Sequence, residues 1–259
     1  MRVIATTSQA KSAIALEFKE FLQESGFDFV PRRRKGLKAL ADEYNAQGVI
    51  VWQAEGPVLY IDDAKFFFHP SMAKNRIALF RKSGLIDPLA RACSMRENSS
   101  FLDCTLGLGA DAVVASYFSP VGRIVGLESS APVAYVVKWG MKLYESRMPW
   151  LDNAIKKIEV INCNHYSYLQ QMQDDSFDIV YFDPMFRRPL LKSQAIAPLR
   201  LLANCEPLGK KTIIEACRVA RQRVVLKELV TSREFKRLGF EKLVGNPHNK
   251  IAFGIIEIR

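Results

Sequence analysis

Apolar and polar positions change rhythm near residue 100 of this 259-residue chain. From Phe101 onward, short apolar runs alternate with longer amphipathic stretches, the pattern of a doubly wound, mostly parallel sheet. Strands are predicted at Phe101–Cys104, Arg123–Leu127, Glu159–Asn162, Asp178–Phe182 and Arg223–Leu226. The end of the chain differs: Leu243 to Gly245 and Ala252 to Ile258, linked by Asn246-Pro247-His248-Asn249, suggest a hairpin. Before residue 100 the pattern is mixed. A short strand at Val3 to Ala5 leads into a helix capped by Ser8 or Ser12, running through Glu24 and closed by Gly26. A helix from Leu37 to Tyr44 follows, then strands at Gly48 to Trp52, Val58 to Ile61 and Lys65 to Phe68. Helices are expected from Met72 to Lys82, stopped by Gly84, and from Asp87-Pro88 to about Cys93. The polar stretch Ser94-Met95-Arg96-Glu97-Asn98 then divides a small α+β unit, residues 1–95, from an α/β core, residues 96–259.

Composition narrows the class. With 49% hydrophobic residues and no apolar run of membrane-spanning length, the chain reads as a globular cytoplasmic protein. Its five cysteines are widely spaced, and its three histidines do not sit at ligand spacing, so no zinc site is expected. Net charge is +10. That excess favours a polyanionic partner, and nucleic acid fits best. The charge is concentrated at Arg32-Arg33-Arg34-Lys35, at Lys74, Arg76, Arg81 and Lys82, and at Arg187-Arg188. A single block of this kind can equally be solvated surface, but Arg187-Arg188 directly follows the Asp183-Pro184 motif, which weighs against that reading there.

Two motifs carry chemistry. The first, Asp103-Cys104-Thr105-Leu106-Gly107-Leu108-Gly109-Ala110-Asp111, joins the first core strand to a helix. Gly107 and Gly109 permit a sharp turn and close approach of a ligand to the backbone. Glu128, ending the next strand, is placed to bind ribose hydroxyls. The same pattern serves a dinucleotide or S-adenosylmethionine. Asp103 and Asp111 would repel a pyrophosphate but suit a ligand carrying a sulfonium and an ammonium, which favours S-adenosylmethionine. Asp111 can also serve the helix dipole, worth about 0.3–1 kcal/mol. Asn164, after the third strand, matches the donor–acceptor edge of adenine, or it simply opens a helix.

The second motif is Tyr181-Phe182-Asp183-Pro184-Met185-Phe186. An apolar strand stops at an Asp-Pro, which presents Asp183 and nearby unpaired carbonyls at its carboxyl end. Such acceptors can hold an exocyclic amine, with Phe186 stacking on the ring that bears it.

Together these motifs, with Val224-Val225-Leu226-Lys227 and Met72-Ala73-x-x-Arg76, resemble the small-subunit rRNA guanine-N2 methyltransferase (RsmJ-like) family from about residue 70 to 230. The resemblance implies a Rossmann-like class I methyltransferase fold: a mostly parallel seven-stranded sheet with an antiparallel last strand, plus the small amino-terminal unit. It implies that Ala110 and Asp111 contact S-adenosylmethionine, Glu128 and Ser129 hold its ribose, and Asn164 and His165 hold its adenine. Asp183, with Pro184 and Phe186, would sit at the junction with the substrate, and Arg187, Arg188, Arg76 and Lys227 on the substrate side. The expected reaction is methylation of a base amino group, most simply guanine N2 of 16S ribosomal RNA. Where those rRNA enzymes share a Pro-His after Met-Phe, this chain has Arg187-Arg188. Methylation of adenine N6 or a protein amide, and a non-catalytic cofactor- or RNA-binding role, remain alternatives, with a dehydrogenase a minor one.

Overall fold

The computed structural model describes residues 1–8, 15–62, 64–184, 207–245 and 250–258. The amino-terminal sheet comprises β1 (Val3–Thr7), β2 (Asp28–Phe29), β3 (Gly48–Gln53), β4 (Gly56–Ile61) and β5 (Ala64–Phe66), in the order β2-β1-β3-β4-β5. Helices α1 (Leu16–Ser25) and α2 (Leu37–Glu43) connect its first three strands. Neither serine expected at the start of α1 is seen to cap it. The Ser8 amide instead donates to the Trp52 carbonyl and prolongs the pairing of β1 with β3, and Ser12 lies outside the described residues. Ala15 holds the N-cap position without a side-chain bond, whereas Gly26 closes the helix in the left-handed region as expected.

Helices α3 (Ser71–Ser83) and α4 (Pro88–Ala92) lead to the core, with the Asp87 side chain capping α4 through the Leu89 amide. The core then runs β6 (Phe101–Asp103), α5 (Ala110–Phe118), β7 (Ile124–Glu128), α6 (Ala131–Leu143), α7 (Pro149–Lys156), β8 (Glu159–Asn162), α8 (His165–Gln171), β9 (Phe177–Phe182), α9 (Lys210–Val219), β10 (Ala220–Leu229), α10 (Glu234–Leu238), β11 (Lys242–Val244) and β12 (Ile251–Glu257). Its seven strands lie in the order β11-β12-β10-β9-β6-β7-β8. β12 is antiparallel to both β10 and β11, so the final hairpin pairing is present, while its connecting residues 246–249 fall outside the described set. This is the expected mostly parallel sheet with an antiparallel last strand.

β9 is central and nearly all apolar because helices cover both its faces; Phe177, Ile179, Val180, Tyr181 and Phe182 are all fully buried. Its register fixes the site. Asp103 pairs with Tyr181, and Leu226 with Phe182, so Asp183 and Lys227 emerge side by side at the carboxyl end of the sheet.

The two sheets share one apolar core cluster. At their seam the Trp139 ring meets Phe21 edge-on at 6.0 Å and Trp52 at 5.7 Å, and its indole nitrogen donates to Glu24 at 2.8 Å. Gly140 lets α6 lie directly against Phe68, since an added Cβ would sit 2.3 Å from the Phe68 Cβ. Among the described residues, no helix is long and apolar enough to cross a membrane, and no cluster of three or more His, Cys, Asp or Glu residues could hold a metal ion.

Candidate active site

The loop after β6 turns through two left-handed glycines, Gly107 at φ 51° and Gly109 at φ 73°. Several hydrogen bonds hold it. Asp103 Oδ1 accepts the Thr105 amide at 3.0 Å, and the Leu106 amide donates to the Leu127 carbonyl at 2.9 Å. The Glu128 carboxylate receives the Gly107 amide at 3.2 Å and the Ser130 amide at 2.8 Å, so it ties the loop to the start of α6. Burial pushes the Glu128 carboxyl up, against the pull of these backbone amides. Asp103 is almost wholly buried, and burial raises its carboxyl well above the usual range.

These groups line a cavity of about 220 Å³ at the carboxyl ends of β6, β7 and β9. Leu106, Leu127 and Val133 supply apolar wall, and Thr105, Gly107, Ala110, Glu128, Ser129 and His165 supply polar groups or exposed backbone. Asp183 and Pro184 form one rim together with Lys227, Arg76 and Asp111.

Asp183 is held at three points. Its amide donates to the Thr105 hydroxyl at 2.6 Å, its chain is fixed by β9, and its Oδ2 accepts from Lys227 Nζ at 2.7 Å. Lys227 Nζ also donates to Asp111 Oδ2 at 2.8 Å, which further accepts the Tyr181 hydroxyl at 2.8 Å. Arg76 reaches the other oxygen of Asp111 at 2.5 Å and grips Asp87 with two bonds of 2.9 and 2.7 Å. Burial alone would raise Asp111, but Lys227 and Arg76 overcome it and hold the carboxyl far below its ordinary range. Asp183 moves the other way. Burial and the neighbouring Asp111 charge push it up to about 6, with Lys227 pulling against them. Lys227 and Arg76 are both raised above their usual values, because the carboxylates outweigh the desolvation that would lower them.

The residues singled out in the sequence therefore converge on one end of the sheet. Asp103, Gly107, Ala110, Asp111, Glu128, Ser129, His165, Asp183, Pro184, Arg76 and Lys227 line one cavity, and Gly109 begins α5 behind it. Asn164 has another occupation: its Oδ1 caps α8 by accepting the Tyr166 and Ser167 amides, and it is not among the cavity-lining residues. His165 does line the cavity; burial lowers its pKa and favours the neutral ring. Phe186, Arg187 and Arg188 lie outside the described residues. Sequence reasoning missed Thr105 as the anchor of Asp183, and it missed the pairing of Asp111 with Lys227 and Arg76. Asp111 was read as repelling a pyrophosphate, yet two cations neutralise it. A buried acid with no cation nearby in the sequence was the available signal of a distant partner.

The cavity suits S-adenosylmethionine on its donor set. The Glu128 carboxylate, the apolar wall of Leu106, Leu127 and Val133, and the backbone of the glycine loop lie together in its lining. A family model described as "Putative SAM-dependent methyltransferase" matches residues 61–235. The uncharacterized protein YpiP of Bacillus subtilis is 37% identical over 223 residues, covering 86% of each chain. Ribosomal RNA small subunit methyltransferase J of Acinetobacter baumannii is 32% identical over 120 residues, which span 46% of this chain and 42% of that protein. Among solved structures, the SAM-dependent methyltransferase NGO1261 of Neisseria gonorrhoeae covers 98% of this chain and 95% of its own, with a TM-score of 0.60 at 17% identity. The fold, the cavity and the match over most of the core agree: the chain belongs to this family of SAM-dependent methyltransferases, distantly related to the rRNA small-subunit methyltransferase J group, and S-adenosylmethionine is its cofactor.

Proposed function

We propose that the chain methylates an exocyclic amino nitrogen of an RNA base, most specifically guanine N2 in small-subunit ribosomal RNA. The observation that carries this reading is the position of Asp183-Pro184 at the end of β9, on the rim of the cofactor cavity. S-adenosylmethionine, when bound, supplies an electrophilic methyl group, so the protein's task is positioning and charge stabilisation. The Asp183 carboxylate and the Pro184 carbonyl accept the N–H groups of the acceptor amine. That contact orients the nitrogen lone pair and stabilises positive charge developing there. Beside the cavity lies a groove of about 670 Å³, walled by Met72, Leu79, Leu85, Ile86 and Phe253, and Arg76 and Lys227 border both spaces. A flat base, unpaired or flipped out of a helix, enters by this groove. Phe186 stacks on it, and Arg187, Arg188 and the Arg32-Arg33-Arg34-Lys35 block hold phosphates. The similarity to rRNA methyltransferase J supports RNA as the substrate, and the net charge of +10 supports a polyanion.

The test is nucleoside mass analysis of ribosomal RNA from a strain lacking the gene, before and after treatment with purified protein and S-adenosylmethionine. N2-methylguanosine that is missing in the strain and restored by treatment is the expected result. Restoration of N6-methyladenosine would reassign the acceptor, and no change in any nucleoside would remove RNA from the reading. In the same assay Asp183→Ala is expected to abolish transfer while calorimetry shows cofactor binding largely retained.

A further inference from the structure

Five side chains of alternating charge run from the amino-terminal segment into the candidate active site: Asp87, Arg76, Asp111, Lys227 and Asp183. Asp111 is at the centre, and its oxygens are taken. Oδ1 accepts from Arg76, and Oδ2 accepts from both Lys227 and the Tyr181 hydroxyl. A carboxylate receiving three donors within the protein is poorly placed to serve as the main anchor of a ligand's ammonium group. Lys227 divides one ammonium between Asp111 at 2.8 Å and Asp183 at 2.7 Å.

We infer that Asp111 and Lys227, braced by Arg76, are positioning residues that fix the orientation and the charge state of Asp183, and that the Asp111 carboxylate is not the main anchor of the cofactor's ammonium group. The inference rests on Asp183 as the group that receives the acceptor amine. Geometry supports it in two ways. The sheet register brings Lys227 beside Asp183, and the Thr105 hydroxyl holds the Asp183 backbone, so the side chain is constrained from both ends. The ionisable groups around Asp183 also have opposing effects. Burial and Asp111 on α5 disfavour the carboxylate, whereas Lys227 on β10 favours it; Asp103, at the end of β6, is itself pushed up by burial and by the neighbouring Asp111 and Asp183 charges. Tyr181 on the same strand is buried and held protonated, and His165 at the start of α8 is kept neutral by burial. Lys227 is thus the one cation among the described residues that contacts Asp183 directly, and Asp111 determines how much of it Asp183 receives.

The signs of the variants follow. Lys227→Met removes the attraction and moves the Asp183 midpoint upward. Asp111→Asn removes a repelling charge and releases Lys227 to Asp183, so it moves the midpoint downward. Lys227→Arg keeps the charge and leaves the midpoint near its original place. The experiment is a carboxyl carbon NMR titration of full-length protein carrying labelled aspartate, with the Asp183 signal assigned by its disappearance in Asp183→Asn. Shifts of about one pH unit or more are expected for Lys227→Met and Asp111→Asn, in opposite directions. Calorimetry on Asp111→Asn should give cofactor affinity close to that of the unaltered protein. Midpoints that do not move would overturn the positioning role, and lost cofactor affinity in Asp111→Asn would overturn the exclusion of Asp111 as the ammonium anchor. If Asp111→Asn does not fold, the contrast between Lys227→Met and Lys227→Arg decides. The titration needs no acceptor, so a protein that methylates no RNA loses its proposed function without affecting this result. Unmoved midpoints in an active methyltransferase would sink the positioning role alone.

Discussion

The amide of Asp183 donates to the Thr105 hydroxyl at 2.6 Å, and the amide of Thr105 in turn donates to Asp103. The end of β9 and the glycine loop are thereby one mechanical unit, although 78 positions separate the two partners. Thr105→Val keeps the shape of the side chain and removes its oxygen. Turnover is expected to fall by about tenfold to a hundredfold, because Asp183 loses its backbone anchor. The check is single-turnover kinetics beside a calorimetric cofactor titration; an equal loss in both would mean that Thr105 serves the cofactor alone.

Asp183 must be ionised to accept N–H groups, and burial pushes its carboxyl up to about 6. The rate with saturating cofactor should therefore rise with pH through about 6 and level off above it. Stability has the opposite sign. A carboxyl whose folded-state pKa is raised stabilises the fold fully below its unfolded value of about 3.9, and that contribution is lost as pH rises through about 6. Asp183→Asn is expected to melt higher than the unaltered protein at neutral pH, with the gap closing near pH 4. Melting curves at the two pH values check both directions.

Gly126 lies in the middle of β7, where an added Cβ would sit 2.4 Å from Leu106 Cδ1 and 3.0 Å from two further atoms of the same side chain. Leu106 is buried and belongs to the glycine loop. Gly126→Ala should displace that loop, costing about 1–3 kcal/mol of stability and lowering cofactor affinity. Denaturant unfolding and calorimetry measure the two effects separately.

Gly140 poses the same question at the seam between the sheets. The atom it would strike is the Phe68 Cβ, which is tied to backbone and cannot swing away. Gly140→Ala should force α6 away from the segment after β5 and destabilise the protein by about 1–3 kcal/mol. Trp139, the preceding residue, packs on Phe21 and Trp52, and its fluorescence reports the change.

The elements that could be read from the chain were those whose causes are local. Gly107 and Gly109 mark a turn needing positive φ, Asp87-Pro88 is a helix start in two residues, and Phe177 to Phe182, apolar except for Asp178, reads as a strand covered on both faces. β10 was underestimated, at Arg223–Leu226 against Ala220–Leu229, because its polar ends Arg221-Gln222 and Lys227-Glu228 hide a strand held by pairing on both sides. The charge network was illegible for a similar reason. Arg76 and Lys227 stand 35 and 116 positions from Asp111, and only the register of the sheet and the packing of α3 bring them together. Asn164 shows the local reading directly: of the two roles its sequence position allows, the helix cap is seen, with Oδ1 accepting the Tyr166 and Ser167 amides.

The pairing of Lys227 with Asp111 and Asp183 also has a consequence for the order of synthesis. Translation delivers Asp87, Asp103, Asp111 and Asp183 before Lys227, so a nascent chain halted ahead of β10 carries these four acids with Arg76 as the one cation of the network already made. Lys227 arrives on the strand whose pairing with β9 puts it beside Asp183, so closing the sheet and neutralising the acids are a single event. Fragments ending before residue 227 should therefore remain protease-sensitive at this end of the sheet, and the candidate active site should be among the last parts of the protein to become native.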